Sequence, residues 1–293
     1  MKISATQTQF CHQTWSSESQ IQLVKHLEDV TYVITEHTPF HPVSHIWPDH
    51  PADRGYGELN GQQYPVIDCL VGAVELESGE LYVGEFIPVK RDTEGWVFVV
   101  VHCLPAGSTI TTDTLIKWAV DQEYQDSLSR GHSAGHFAFL ALNKILAQSY
   151  WRKDAERKDS LGHYDFNSYA QETSFVTPNT CTDTYRLGKT LKKRGLNVAD
   201  MVNDLEDIQR QVNNQLKTWF NDIINVSMRL EGETLTDSRY WECEVKGEGS
   251  ISIPCGGTHV KNSSELVGIR VCLRMLDAQN IQMQTFVDGI SEE

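Results

Sequence analysis

The sequence is short of the features that would place it in several common classes. It has seven cysteines, Cys11, Cys69, Cys103, Cys181, Cys243, Cys255 and Cys272, but no CxxC pair and an odd total. In a chain of 293 residues this reads as reduced thiols, not a disulfide framework. No stretch reaches the roughly 18–20 apolar residues of a membrane-spanning helix, so no membrane partner is expected. The opening Met1-Lys2-Ile3-Ser4-Ala5-Thr6-Gln7 lacks an apolar signal region, from which a cytoplasmic protein is expected. Positive charge is scarce too, with 25 Lys+Arg against 40 Asp+Glu, a net of −15. The 40% hydrophobic content excludes a disordered chain, and the length suggests two domains.

The charge is unevenly spread. Residues 1–125 carry a net of −11, whereas residues 130–194 hold 11 Lys+Arg and 6 Asp+Glu, a net of +5. Such a patch can steer a phosphate backbone, and it also fits a solvated helical face.

The first third alternates short β-branched runs with turns. Residues 64–71, 81–89 and 96–103 read as strands of a small antiparallel sheet or barrel, and residues 38–55, rich in Pro and His, as a long loop. From Asp121 the chain turns helical, with Phe139, Leu140, Leu142, Ile145 and Leu146 suited to a buried face. Residues 151–185 read as a polar loop. Leu205, Ile208, Val212, Leu216, Trp219, Phe220 and Ile223 keep the spacing of an amphipathic helix. Strand-like pieces return at 240–245, 250–253, 267–273 and 282–287, so the second half reads as α+β.

Two short motifs carry chemistry. His132 and His136 stand four apart, which on a helix puts both imidazoles on one face; alone, the spacing also fits a structural pair. Cys255-Gly256-Gly257-Thr258-His259-Val260 sets a thiol and an imidazole four apart on a glycine-rich turn after a strand. Together His132, His136, Cys255 and His259 make a mixed nitrogen–sulfur set suited to one tetrahedral Zn²⁺.

These motifs resemble the paired HxxxH and CxxxH zinc motifs of the alanyl-tRNA synthetase editing domain and of its free-standing relatives, the AlaX trans-editing proteins. The likeness extends to Thr38-Pro39-Phe40-His41-Pro42, Ala52-Asp53-Arg54-Gly55, Val120-Asp121, Gln171 with Ser174, and Val212-Asn213. Val43 to His50 stand where two-domain members carry a glycine-rich stretch associated with amino-acid discrimination.

The resemblance implies an α+β architecture of the threonyl/alanyl-tRNA synthetase second-additional-domain type. A small antiparallel N-terminal β-barrel over residues 1–120 would precede an α+β zinc-binding editing domain over 121–293. With no aminoacylation domain in these 293 residues, it implies a free-standing deacylase. Its substrate would be mischarged Ser- or Gly-tRNA for Ala; DNA is not expected.

Ser133 could hydrogen-bond a seryl hydroxyl or its own helix backbone, and the two readings stand level. Gly256 and Gly257 could offer N–H groups to an oxyanion or serve only conformation, and Thr258 on the same loop is grouped with them as catalytic. Gln171 and Ser174 are the expected substrate contacts. Arg152, Lys153, Arg157, Lys158, Lys189, Lys192, Lys193 and Arg194 are the expected tRNA contacts. A substrate of small aminoacyl esters or amides, and a closed, non-catalytic zinc module, are the competing readings.

Overall fold

Short β-branched runs separated by turn residues do form strands in the first part of the chain. The computed structural model describes residues 3–46 and 48–288, so Trp47 of the 43–50 stretch and both chain ends lie outside the described residues. Packing divides the chain into two units. One takes the chain up to Asp126 with residues 230–239 and 256–258; the other takes residues 127–229, 240–255 and 259 onward.

The first unit holds β1 (Gln7–Thr8), β2 (Ser16–His26), β3 (Val30–Thr35), β4 (His37–Thr38) and β5 (Gly55–Leu59). These are followed by β6 (Gln62–Val66), β7 (Asp68–Glu75), β8 (Leu81–Val83), β9 (Trp96–Pro105) and β10 (Leu115–Val120). Strands β1 and β4 pair in parallel. The other eight form one antiparallel sheet in the order β6-β5-β10-β2-β3-β9-β7-β8.

The period-2 alternation of β9 decides how this sheet packs. Val99, Val101 and Cys103 join Ile34, Val74 and Leu81 in one cluster, while Val100 and Leu104 join Ile21, Val33 and Trp118 in another. The closed N-terminal barrel expected from sequence is not found among the described residues. The sheet ends on β6 and β8. β6 carries Pro65, which has no N–H to offer a further strand, and β8 is three residues long. The run expected as a strand over 81–89 stops at Val83, because Gly84 takes φ 58° and a 3₁₀ turn follows.

The long helix α1 (Gln122–Ser149) starts where Asp121 accepts the Tyr124 N–H at 3.1 Å, an N-cap. Its second-unit portion packs Phe137, Leu140, Ala141 and Ile145 into the largest core cluster. After α1 come α2 (Phe166–Ala170), β11 (Gln171–Thr177), β12 (Thr180–Arg186), α3 (Lys189–Arg194), α4 (Val198–Asn203) and α5 (Leu205–Trp219). The strands β13 (Val226–Leu230), β14 (Arg239–Val245), β15 (Gly249–Pro254), β16 (Arg270–Met275) and β17 (Asn280–Phe286) complete the fold. Two sheets result, β11-β12-β17-β16 and β13-β14-β15. The protein is thus mixed α+β and mostly sheet.

Two local expectations change in this unit. The 151–185 segment contains α2 and the β11–β12 hairpin, whose alternating face is masked in sequence by threonines at 180, 182 and 184. Helix α5 ends at Trp219 and leaves Ile223 exposed beyond it. Its buried residues are Leu205, Ile208, Val212, Leu216 and Trp219, as the 3,4 spacing requires. On another face, Asn213 both donates to the Val271 carbonyl and accepts the Val271 N–H, and Gln209 accepts the Leu273 N–H. These bonds satisfy the outer edge of β16. Among the described residues no helix is long and apolar enough to cross a membrane.

Candidate metal centre

Helix α1 and the turn after β15 bring the four expected donors together. The helical pitch stacks His132 and His136 with ring centroids 4.9 Å apart. β15 pairs with β14 as far as Pro254, and the next residue is Cys255. The turn then returns His259, whose ring lies 4.2 Å from that of His132 and 5.1 Å from that of His136.

All four ligand atoms fall within 4.8 Å of one another. Cys255 Sγ is 3.4 Å from His132 Nε2 and 3.2 Å from His259 Nε2. A tetrahedron built on zinc–ligand bonds of 2.0–2.3 Å has edges of about 3.3–3.6 Å. The cluster is thus sized to close on one ion. His132 and His259 are buried, while His136 and Cys255 are half-buried.

His136 supplies the test of fit. Both its ring nitrogens are buried without a hydrogen-bond partner in the protein, an arrangement that costs free energy unless something else engages them. Burial pushes its pKa down to about 4, so the ring is neutral at pH 7 with a lone pair to donate. Trp241 stacks on it at 5.0 Å and Phe139 meets its edge at 5.7 Å, which fixes the ring plane. A neutral imidazole with uncommitted nitrogens, beside a thiol and two more imidazoles, is a donor set for one metal ion and is compatible with zinc.

Ser133 sits in this assembly, fully buried. Its Oγ accepts the Val260 N–H at 3.1 Å and lies 3.0 Å from His259 Nδ1. When His259 Nδ1–H donates to Ser133, Nε2 keeps its lone pair towards Cys255, the tautomer that ligation needs. Sequence reasoning weighed two other partners for Ser133; its nearest ones are a ligand ring and the backbone that follows it.

Two glycines explain how the β11–β12 hairpin approaches α1. A Cβ on Gly131 would meet the Thr180 carbonyl oxygen at 2.6 Å, and one on Gly135 the Cys181 Sγ at 2.7 Å. Beyond Cys181, Asp183 Oδ1 accepts from Gln171 Nε2 at 2.9 Å, and Ser174 Oγ lies 3.7 Å from Cys181 Sγ. The linking residues Cys181 and Asp183 were not picked out from sequence; their period-2 placement with Tyr185 on β12 was the available signal.

Gly256, Gly257 and Thr258 group with the first unit. There Thr258 Oγ1 is 3.2 Å from His50 Nε2, a contact that no spacing rule would suggest. A Cβ on Gly256 would meet only an ordinary contact, so space does not require glycine there.

The basic residues gather around α3 and the 151–165 loop. Arg152, Lys153 and Lys192 line one hollow, and Lys189 and Lys192 line a larger one with Gln171. Arg194 and Arg157 lie over the Tyr169 ring at 4.4 and 5.6 Å, and Lys158 over Tyr164 at 5.4 Å. Lys193 is exposed in the last turn of α3.

Known proteins of like sequence point one way. The chain is 21% identical to an alanine–tRNA ligase of Methanococcus maripaludis across 100% of its length, covering 27% of that protein. It is 22% identical to an alanine–tRNA ligase of Metallosphaera sedula over 82% of the chain and 22% of the relative. For that of Pseudothermotoga lettingae the figures are 26%, 74% and 22%. The similarity supports a family related to alanine–tRNA ligase. The chain spans about a quarter of the length of the curated relatives it matches. No family model matches the chain.

Proposed function

We propose that the chain holds one zinc ion at His132, His136, Cys255 and His259 and hydrolyses mischarged Ser- or Gly-tRNA for Ala, acting in trans as an editing protein. The observation that carries this reading is the converged four-donor cluster in a chain similar along its length to alanine–tRNA ligases. In this reading the chemistry belongs to a domain of residues 121–293, and residues 1–120 form a separate domain.

Bound zinc supplies Lewis-acid polarisation of an ester carbonyl and acidifies water. The chain's own residues do the rest. Ser133 holds His259 in its ligating tautomer, and the stacked Trp241 holds the His136 ring. Gly256 and Gly257 offer N–H groups to the developing oxyanion, with Thr258 beside them. Gln171 and Ser174 face the aminoacyl end. Arg152, Lys153, Arg157, Lys158, Lys189, Lys192, Lys193 and Arg194 take the phosphates. The products are the free amino acid and the tRNA 3′-terminal hydroxyl.

The test uses the purified chain with Ser-, Gly- and Ala-charged tRNA, with and without chelator. The expected result is loss of Ser or Gly, retention of Ala, and arrest by chelator. Hydrolysis of small aminoacyl esters with no action on charged tRNA would favour the reading that the net charge of −15 supports. Stoichiometric zinc with no hydrolysis would favour a closed structural site, to which four protein donors also lend themselves. Metal analysis of a Cys255→Ala/His259→Ala variant checks the ligands, and stoichiometric zinc retained there would remove the assignment.

A further inference from the structure

A cleft lies between the base of the β11–β12 hairpin and α3, with a cavity volume of about 800 Å³. Its apolar lining includes Leu187, Leu191 and Val198, all buried. Three cations line it, Arg186, Lys189 and Lys192, against one carboxylate, Glu172. Lys192 and Val198 also line the adjoining hollow of about 370 Å³, where Arg152 and Lys153 add positive charge and no carboxylate enters. The two hollows therefore adjoin at Lys192 and Val198.

Local structure accounts for some of these cations but not for Lys189. Lys192, Lys193 and Arg194 occupy the last turn of α3, where a helix favours positive charge. Lys189 occupies the first turn, where the same dipole opposes it. Lys189 and Lys192 are exposed, and neither is in an ion pair among the described residues, in a chain that carries 40 carboxylates. Arg186 pairs with Glu172 at 3.2 Å and Arg152 with Asp200 at 3.6 Å, both solvent-exposed contacts of little energy. At the wall of the larger cleft, Tyr169 carries Arg194 over its face.

An apolar floor with a cationic rim matches a nucleotide: a weakly polar base and ribose joined to a charged phosphate. The volume lies within the roughly 300–1,000 Å³ of small-ligand sites, and the second hollow sets further positive charge beside it, as a strand would need.

We propose that this cleft seats a nucleotide of an RNA strand. Its phosphate lies against Lys189, Lys192 and Arg186, and the following phosphate lies towards Arg152 and Lys153. The inference rests on the reading of the chain as an RNA-acting hydrolase, and it adds Arg186 to the contacts expected from sequence.

The test measures binding of an uncharged tRNA transcript for Ala to the full chain across a salt series. The proteins compared are the parent, Arg186→Glu/Lys189→Glu/Lys192→Glu, and the neutral triple Gln variant at the same positions. Removing three phosphate contacts should weaken binding by about tenfold or more and make the salt slope shallower by about 2. The Gln variant should fall between. Zinc content and the circular-dichroism spectrum should match the parent in both variants.

Affinity and salt slope within twofold of the parent in both variants would overturn the cleft. So would ATP competing as strongly as the transcript, since that outcome marks a mononucleotide site. Failure of the hydrolase reading looks different: the parent binds the transcript through these residues but leaves charged tRNA intact.

Discussion

At the residue scale, Ser133 lies against one of the four donors of the cluster. Ser133 Oγ accepts the Val260 N–H and lies 3.0 Å from His259 Nδ1. Ser133→Ala should lower zinc affinity by about 10–100-fold in a chelator competition, and Ser133→Thr should restore most of it. Equal affinity in all three proteins would show that the hydroxyl does not orient the ligand. Another buried histidine, His102, lies in the first unit. His102 lies within hydrogen-bond distance of the Thr38 hydroxyl at 2.7 Å and the Val33 carbonyl at 3.1 Å, and it stacks on Trp118 at 3.9 Å. Burial pushes its pKa down to about 3. Between this value and the unfolded value near 6.5 only the unfolded chain binds the proton, so its contribution to stability falls as pH falls through that window. Replacing His102 with Gln should flatten the fall in stability between pH 6 and 4 by up to about 1.4 kcal/mol per pH unit, measured by urea unfolding. An unchanged slope would mean that His102 does not titrate with unfolding.

At the element scale, α5 closes the second unit in two ways. Its apolar stripe enters the core, and Asn213 and Gln209 occupy the hydrogen-bonding edge of β16. Asn213→Ala leaves the Val271 N–H and carbonyl to find other partners and should cost about 1–3 kcal/mol in denaturant unfolding. Leu216→Ala, a cavity in the same helix, should cost about 2–5 kcal/mol. If Asn213→Ala proved neutral, water would serve the strand edge as well as the side chain does. The apolar stripe of α5 was legible from spacing, because burial follows the 3.6-residue period. The edge contacts were not, since two polar side chains on a helix read as solvated until a strand is placed beside them. The β11–β12 hairpin was missed for a related reason: Thr180, Thr182 and Thr184 hide its alternation, and the close approach allowed by Gly131 and Gly135 is a tertiary fact.

At the scale of the whole molecule, the second unit owes its core to α1, α5 and the strands around them. Burial of that apolar surface stabilises at roughly 25 cal/mol per Å². His132→Ala should therefore abolish deacylation of mischarged tRNA while leaving a cooperative melt within a few degrees of the parent. A variant that unfolds outright points to a zinc whose binding energy is part of folding, and one that stays fully active removes the catalytic zinc. The strongly negative net charge does not prevent an anionic partner, because exposed lysines on α3 border hollows with few carboxylates.

The residues alone determined the mixed α+β class, the principal helices and the four donors that converge. Each of these follows from a local period or from a pair of short spacings. The open edges of the first sheet, the partners of Ser133 and the shape of the cleft beside α3 were decided only by tertiary structure. Edge pairing, second hydrogen bonds and concavity each depend on groups far apart in the chain, and no window of local sequence contains both partners.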